Sequence, residues 1–229
     1  LPEGAYQSAS PLDCRVTYAA DEVAVSATMT ATSQGILTDP MTMTVRLYRG
    51  LPFVELAWAI EKKIGDPWPE AGWICIPINA DKPTFKLSRT GSVIDPSKDI
   101  IRGSNRHVFC LNAGMTVTGD KGETVGICPM DSPLASLGKP GLWQYSLDYT
   151  PDRADVFVNV FNNQWSTNFP LWIEGTWTSR IRLWASDTEN ATEALLTPGW
   201  DARTPCWVGV SDGAAGSLPV QGAPMIRRE

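Results

Sequence analysis

Period two dominates this chain. Over 22–32, Val23, Val25, Ala27, Met29 and Ala31 fall on one side, with Ser26, Thr28 and Thr30 opposite. Met43, Val45 and Leu47 then alternate with Thr42, Thr44 and Arg46, and Val54, Leu56, Trp58 and Ile60 line one side of the next segment. Successive side chains of a strand point to opposite faces, so each pattern predicts a strand with an apolar face and a more polar one. Arg49-Gly50-Leu51-Pro52 reads as the hairpin turn between the last two. Further strands are expected at 72–79, 84–88, 107–112, 115–119, 123–128, 154–161 and 176–185. A helical period is suggested only at 189–196, and is expected to stop before Pro198-Gly199. Many strands with Gly/Pro punctuation and almost no helical period imply an all-β antiparallel sandwich or barrel, not alternating strands and helices.

Length leaves room for a sizeable core. A chain of 229 residues can bury roughly 70% of the surface its unfolded form exposes, without help from disulfides or metals. No internal repeat or linker interrupts it before about residue 200, so 1–229 is expected to form a single β-domain. The Gly-, Pro-, Ser- and Ala-rich stretch 208–229 reads either as a crossing to a neighbouring strand or as a loosely packed tail. The N-terminal LPEGAYQSAS carries neither the basic nor the apolar part of a signal peptide, and no apolar run approaches the roughly 18 residues of a membrane-spanning helix. The chain begins without Met, which suggests a piece of a longer polypeptide. With net charge −6 and no basic run longer than two residues, its surface repels nucleic acid and anionic membranes, so neither is expected as a partner.

Candidate chemistry is sparse. Cys14, Cys75, Cys110, Cys128 and Cys206 have no paired C-x-x-C spacing. They read as structural thiols, with Cys75 and Cys110 buried within apolar strands, rather than as metal ligands. His107 is the only histidine, so neither a zinc site of the usual His-rich kind nor a two-imidazole proton relay can be assembled, and no metal ligand is assigned. No partner serine for it is identified, and a structural hydrogen-bonding role at a strand entrance suits it better. A two-carboxylate glycosidase could draw on Glu70, Asp131, Asp148, Asp152 or Glu174. Most of the 25 acidic residues must nevertheless be solvated surface charges, so no catalytic residue is assigned. Glu174 stands out in WIEGTW, as a substrate-contacting or site-rim carboxylate, or else as a turn residue or a salt-bridge partner of Arg180 or Arg182. Asn190-Ala191-Thr192 is a lone glycosylation sequon, relevant only to a secreted chain.

The segment 157–184 carries the most information. Between strand-like ends lies Asn162-Asn163-Gln164-Trp165-Ser166-Thr167-Asn168-Phe169, crowded with amides, hydroxyls and aromatic rings. Indole faces stack on the apolar side of a pyranose while amides exchange hydrogen bonds with its hydroxyls. The competing explanation is a buried loop whose Asn side chains satisfy backbone groups. Trp58 falls on an apolar strand face and reads as core, while Trp177 and Trp184 fall on opposite faces of the last long strand. Trp68, Trp143 and Trp165 lie in loops beside Pro, Gly or Asn and suit sugar stacking or contact with another domain.

The NNQWSTNF run followed by WTSRIRLW resembles the C-terminal β-domain of α-mannosidase-like glycoside hydrolases of family 38, and within that group a poorly characterised bacterial and fungal branch. DPWPEAGW (66–73), GSNRH (103–107), DSPL (131–134) and KPGLW (139–143) precede it in matching order, so the resemblance spans roughly residues 48 to 184. It implies the large two-sheet sandwich of the galactose mutarotase-like type, which periodicity alone does not select. It also implies an N-terminal catalytic domain as partner, holding the zinc and the nucleophile, while this chain needs no cofactor and is inactive alone. On that reading Asn162, Asn163, Trp165, Asn168 and Glu174 line a carbohydrate site shared with that domain, with Arg106, His107 and Trp68 nearby. A free-standing carbohydrate-binding module is the rival expectation, and a self-contained glycosidase or lyase a third.

Overall fold

The computed structural model describes residues 11–33, 41–65, 70–141, 146–163 and 172–204. Its strands are β1 (Pro11–Ala20), β2 (Ala24–Ser33), β3 (Met41–Tyr48), β4 (Phe53–Lys63), β5 (Ala71–Ile76), β6 (Thr84–Arg89), β7 (Ser92–Ile94), β8 (Phe109–Cys110), β9 (Gly114–Thr118), β10 (Thr124–Pro129), β11 (Leu134–Leu137), β12 (Val156–Asn162) and β13 (Gly175–Ser186). A helical turn, Thr192–Leu196, leads into α1 (Thr197–Arg203). Nine strands form one sheet in the order β1-β2-β3-β4-β13-β10-β9-β6-β7, and four form a second in the order β5-β12-β11-β8. Every strand pair is antiparallel. This is an all-β antiparallel two-sheet sandwich, one of the two architectures that the alternation leaves open and the one that the resemblance implies.

The two sheets bury a shared core. Phe85, Leu87, Met115, Val117, Ile127 and Ile181 from the large sheet meet Ile74, Ile76, Phe109, Leu137, Val156 and Val158 from the small one. Trp58, Leu56 and Met43 pack at its margin. A second, smaller cluster lies on the outer face of the large sheet, where Cys128, Trp184, Leu195 and Ala202 pack together under α1. Trp184 donates from Nε1 to the Ala194 carbonyl at 2.9 Å, while Trp177 meets the Phe161 ring at 6.0 Å, so the two indoles serve opposite faces of β13.

Three expectations need correction. The helix does not stop before Pro198: the helical turn Thr192–Leu196 runs straight into α1, which starts at Thr197 and contains Pro198. Cys75 and Cys110 are exposed, not buried, because their neighbours Ile74, Ile76 and Phe109 take the inward positions and alternation turns the thiols outward. Among the described cysteines Cys128 is the buried one, and burial pushes its pKa up to about 11, so it stays protonated near neutrality. The reading of 208–229 lies outside the described residues.

Candidate functional site

Two bulges shape the end of the sandwich where β4 and β12 finish. In β4, Val54, Leu56, Trp58 and Ile60 alternate inward, and strict alternation would send Lys62 inward next. Instead Lys62 adopts φ 54°, and the register to β13 shifts between Trp177, opposite Ile60, and Gly175, opposite Lys63. The extra residue resets the pattern. Lys62 stays outside and Lys63 turns in, to 3% exposure. In β12 the register to β5 shifts between Asn159 and Phe161. Buried Asn159 spans that irregularity, donating from Nδ2 to the carbonyls of Gly72 at 3.2 Å and Phe161 at 3.1 Å. Phe161 lies across Gly72, where a Cβ would strike its ring.

These bulges assemble a cluster around one ammonium group. Lys63 Nζ donates to the Glu70 carboxylate, to the Ile64 carbonyl at 3.0 Å and to the Ile173 carbonyl at 2.7 Å. It also stands 5.3 Å from the Phe161 ring centroid. Three N–H donors thus have three acceptors, so the group ties chain segments together and has no proton free for catalysis. Asn163 completes the junction. Its N–H donates to the Glu70 carbonyl at 3.0 Å, and its Oδ1 accepts from the Glu70 N–H at 2.6 Å. The segment entering at 163 and the segment leaving at 70 are therefore clamped side by side. Across from them, a Cβ on Gly65 would come within 3.3 Å of both Glu174 Oε2 and Trp172 Cδ1. Glu174 and Trp172 are exposed at this rim.

The expected site residues divide accordingly. Asn162, Asn163 and Glu174 come to this one end, Asn162 half-buried and Asn163 only 1% exposed. The carboxamide oxygen of Asn163 serves the backbone, as the competing explanation of the loop had it. Trp68, Trp165, Asn168 and Trp143 lie outside the described residues. Arg106 and His107 belong to another cluster. Arg106 is buried and donates to the carbonyls of Ile100 at 2.7 Å and Tyr149 at 3.4 Å. His107 is buried beside the Tyr149 ring, its N–H capped by Asn105 Oδ1 at 2.8 Å, and burial holds its pKa below the ordinary value. Both read as packing residues.

Most of the candidate carboxylates are engaged in ion pairs. Asp131 accepts from the Arg180 side chain at 2.7 and 2.9 Å, and this holds its carboxyl below the usual range. Asp148 pairs with Arg102, Glu70 with Lys63, and Arg182 with Glu55, so Glu174 does not take the salt-bridge partners expected for it. Asp152 is exposed. Among the described residues no group of three or more His, Cys, Asp or Glu side chains is placed to hold a metal ion. The spacing G-x-S-x-G does occur once, as GVSDG at 209–213, outside the described residues. A nucleophile elbow needs a strand before it and a helix after it, and a Gly-, Ala- and Pro-rich setting favours neither. Lys63 and Trp172 were not singled out by sequence; the bulge that turns Lys63 inward leaves no mark in the alternation.

No family model matches the chain, and no curated protein matches it. Among solved structures it is similar to a TPR-domain containing protein from Parabacteroides distasonis, with TM-score 0.43 and 10% identity over 76% of this chain and 35% of that one. A proposed aldose 1-epimerase from Klebsiella pneumoniae gives TM-score 0.41 and 10% identity over 84% of this chain and 59% of that one. A galactose mutarotase related enzyme from Lactobacillus acidophilus gives 0.40 and 10%, over 77% and 72%. The chain thus spans about a third of the first structure and three fifths of the second. At these scores the likenesses bear on neither activity nor ligand.

Proposed function

We propose that this chain is the C-terminal β-sandwich domain, of galactose mutarotase-like type, of a family-38-like glycoside hydrolase. It packs against a separate catalytic domain and lends loop residues to a carbohydrate site. The clamp between Asn163 and Glu70 is the observation that carries the reading. Through it, the segment holding Trp68 and the segment holding Trp165 and Asn168 leave the sandwich from adjacent points. Trp172 and Glu174 return beside them against Gly65. Exposed Trp172 and Glu174 supply an indole face and a solvent-facing carboxylate at this rim, part of what a pyranose needs, and the sequence puts Trp68, Trp165 and Asn168 in the adjoining segments. The Lys63 network holds that rim in place from below. Zinc and the nucleophile belong to the catalytic domain, and this chain alone hydrolyses nothing.

The test is ligand-observed NMR or calorimetry with mannose and short mannosides, on the wild type and Trp165→Ala, beside turnover of an aryl mannoside. Half a cleft leaves too few contacts to offset the lost translational and rotational freedom, so the chain alone gives no measurable binding. Sub-millimolar binding abolished by Trp165→Ala would establish a free-standing carbohydrate-binding module instead. Turnover by the purified chain would establish a self-contained hydrolase.

A further inference from the structure

The core of the sandwich does not end where its second sheet ends. Along the large sheet the inward face continues from Leu56 and Trp58 on β4 to Val45 and Met43 on β3, Ala27 and Met29 on β2, and Tyr18 and Val16 on β1, each opposite the next in register. No charged residue interrupts this row. The reverse face of the same strands carries Arg15 and Thr17, Thr28 and Thr30, and Thr42, Thr44 and Arg46, with the Thr28 and Thr44 hydroxyls bonded at 2.9 Å. One face is therefore built for burial and the other for water. Yet Tyr18 is 82% exposed, and Val16, Val25, Met29 and Leu47 are exposed beside it. A shallow groove of about 440 Å³ runs between Tyr18, Val25, Ala27, Val45 and Leu47.

Among the described residues, the small sheet stops short of this half. Its β12 lies over β13 through Phe161 on Trp177, and Glu70, just before β5, lies on Lys63 at the end of β4. Its β8 end lies over β6, through the Asn112 N–H on the Ser88 carbonyl and the Phe109 ring near Arg89. β5, the last strand on the other side, is therefore the edge that looks toward β3, β2 and β1. An edge strand beside an uncovered apolar face is a place for further strands to add.

We infer that this open half is the docking surface for the catalytic domain, which supplies strand-forming segment with alternate apolar residues to extend the small sheet from β5 and cover β1 to β3. This rests on the domain reading proposed above. Area argues against an untethered occupant. Three strands of this length present a face of about 30 by 14 Å, roughly 400 Å², about half of the 800 Å² that a stable free partner buries on each side. A tethered domain needs less, because the tether supplies effective concentration. A second copy of the chain, untethered, lacks that help.

The experiment compares the purified chain with the longer polypeptide from the same gene. Sedimentation, binding of an apolar dye and hydrogen exchange are measured for each, with Val25→Lys and Leu47→Lys as variants at exposed positions. The chain alone should sediment as a monomer, bind dye less after either substitution, and exchange rapidly in β1, β2 and β5. In the longer polypeptide the same strands should exchange at least about tenfold more slowly, and both variants should remove that protection. A dimer dissociated by Leu47→Lys would overturn the inference in favour of a second copy. Protection in the isolated monomer that disappears on deleting 205–229 would overturn it in favour of the chain's own tail. A catalytic domain that leaves β1 to β3 unprotected would sink the docking surface and spare the domain reading. Protection by a tethered domain of another kind would do the reverse, and a gene encoding nothing further would overturn both.

Discussion

The Lys63 ammonium meets the Glu70 carboxylate where two strands leave the sandwich, with side chains only 2% and 12% exposed. Removing one partner of such a pair strands an uncompensated charge away from water. Glu70→Ala should therefore cost about 3 kcal/mol or more in urea unfolding, whereas the double change Lys63→Met with Glu70→Leu should recover most of that loss. A single-variant cost below about 1 kcal/mol would mean that water reaches the pair in solution.

Gly126 and Trp184 face each other across β10 and β13, and a Cβ on Gly126 would fall inside the Trp184 indole. The indole cannot swing away freely, because it sits under the Thr192–Leu196 turn and donates to Ala194. Gly126→Ala should destabilise by roughly 3 kcal/mol, the upper part of the range for overpacking. Circular dichroism during thermal unfolding tests it, and an unchanged melting temperature would show that the turn over Trp184 yields.

The long alternating strands could be read before the fold was seen, because one face of each meets a core and the other meets water. β1, an edge strand, carries the same alternation only briefly, with Val16 and Tyr18 against Arg15 and Thr17, and is not picked out from the sequence. β7 and β11, at three and four residues, are too short to show a period. At the candidate site, composition marked the amide-rich loop, but the partner of Asn163 lies 93 residues away at Glu70. No local pattern encodes such a pairing, nor the bulge that turns Lys63 inward. Arg106 and His107 were grouped with that loop by resemblance; their contacts tie them to Ile100, Asn105 and Tyr149 instead.

Acid should weaken the fold in two separate windows. Burial holds the His107 pKa below its ordinary value of 6.5, so the unfolded chain takes up its proton first as pH falls. The stability contributed by neutral His107 is complete above the ordinary value and is lost as pH drops from there through the folded value. The slope is at most about 1.4 kcal/mol per pH unit for one proton. Asp131, lowered by Arg180, acts in the same direction but only below the usual carboxylate range. Urea midpoints from pH 7.5 to 5 should therefore fall in the wild type and flatten in His107→Gln. A fall of equal size in that variant would assign the effect to other groups.

Asn163 and Trp165 should separate holding the rim from touching the sugar. Asn163→Ala removes the acceptor of the Glu70 N–H and leaves a donor without its partner at a buried junction, at a cost of about 1–3 kcal/mol. It should also loosen the two segments that the clamp holds together. On the domain reading proposed above, the longer polypeptide should then show a raised KM for mannosides together with lower stability. On the same reading Trp165→Ala should raise KM or lower kcat with the unfolding midpoint of the chain unchanged. Reading both variants by urea unfolding and by kinetics gives four numbers. A destabilised Trp165→Ala would make that indole a packing residue and remove it from the site. An Asn163→Ala enzyme with weakened fold and unaltered kinetics would show that the clamped loops stand apart from the sugar.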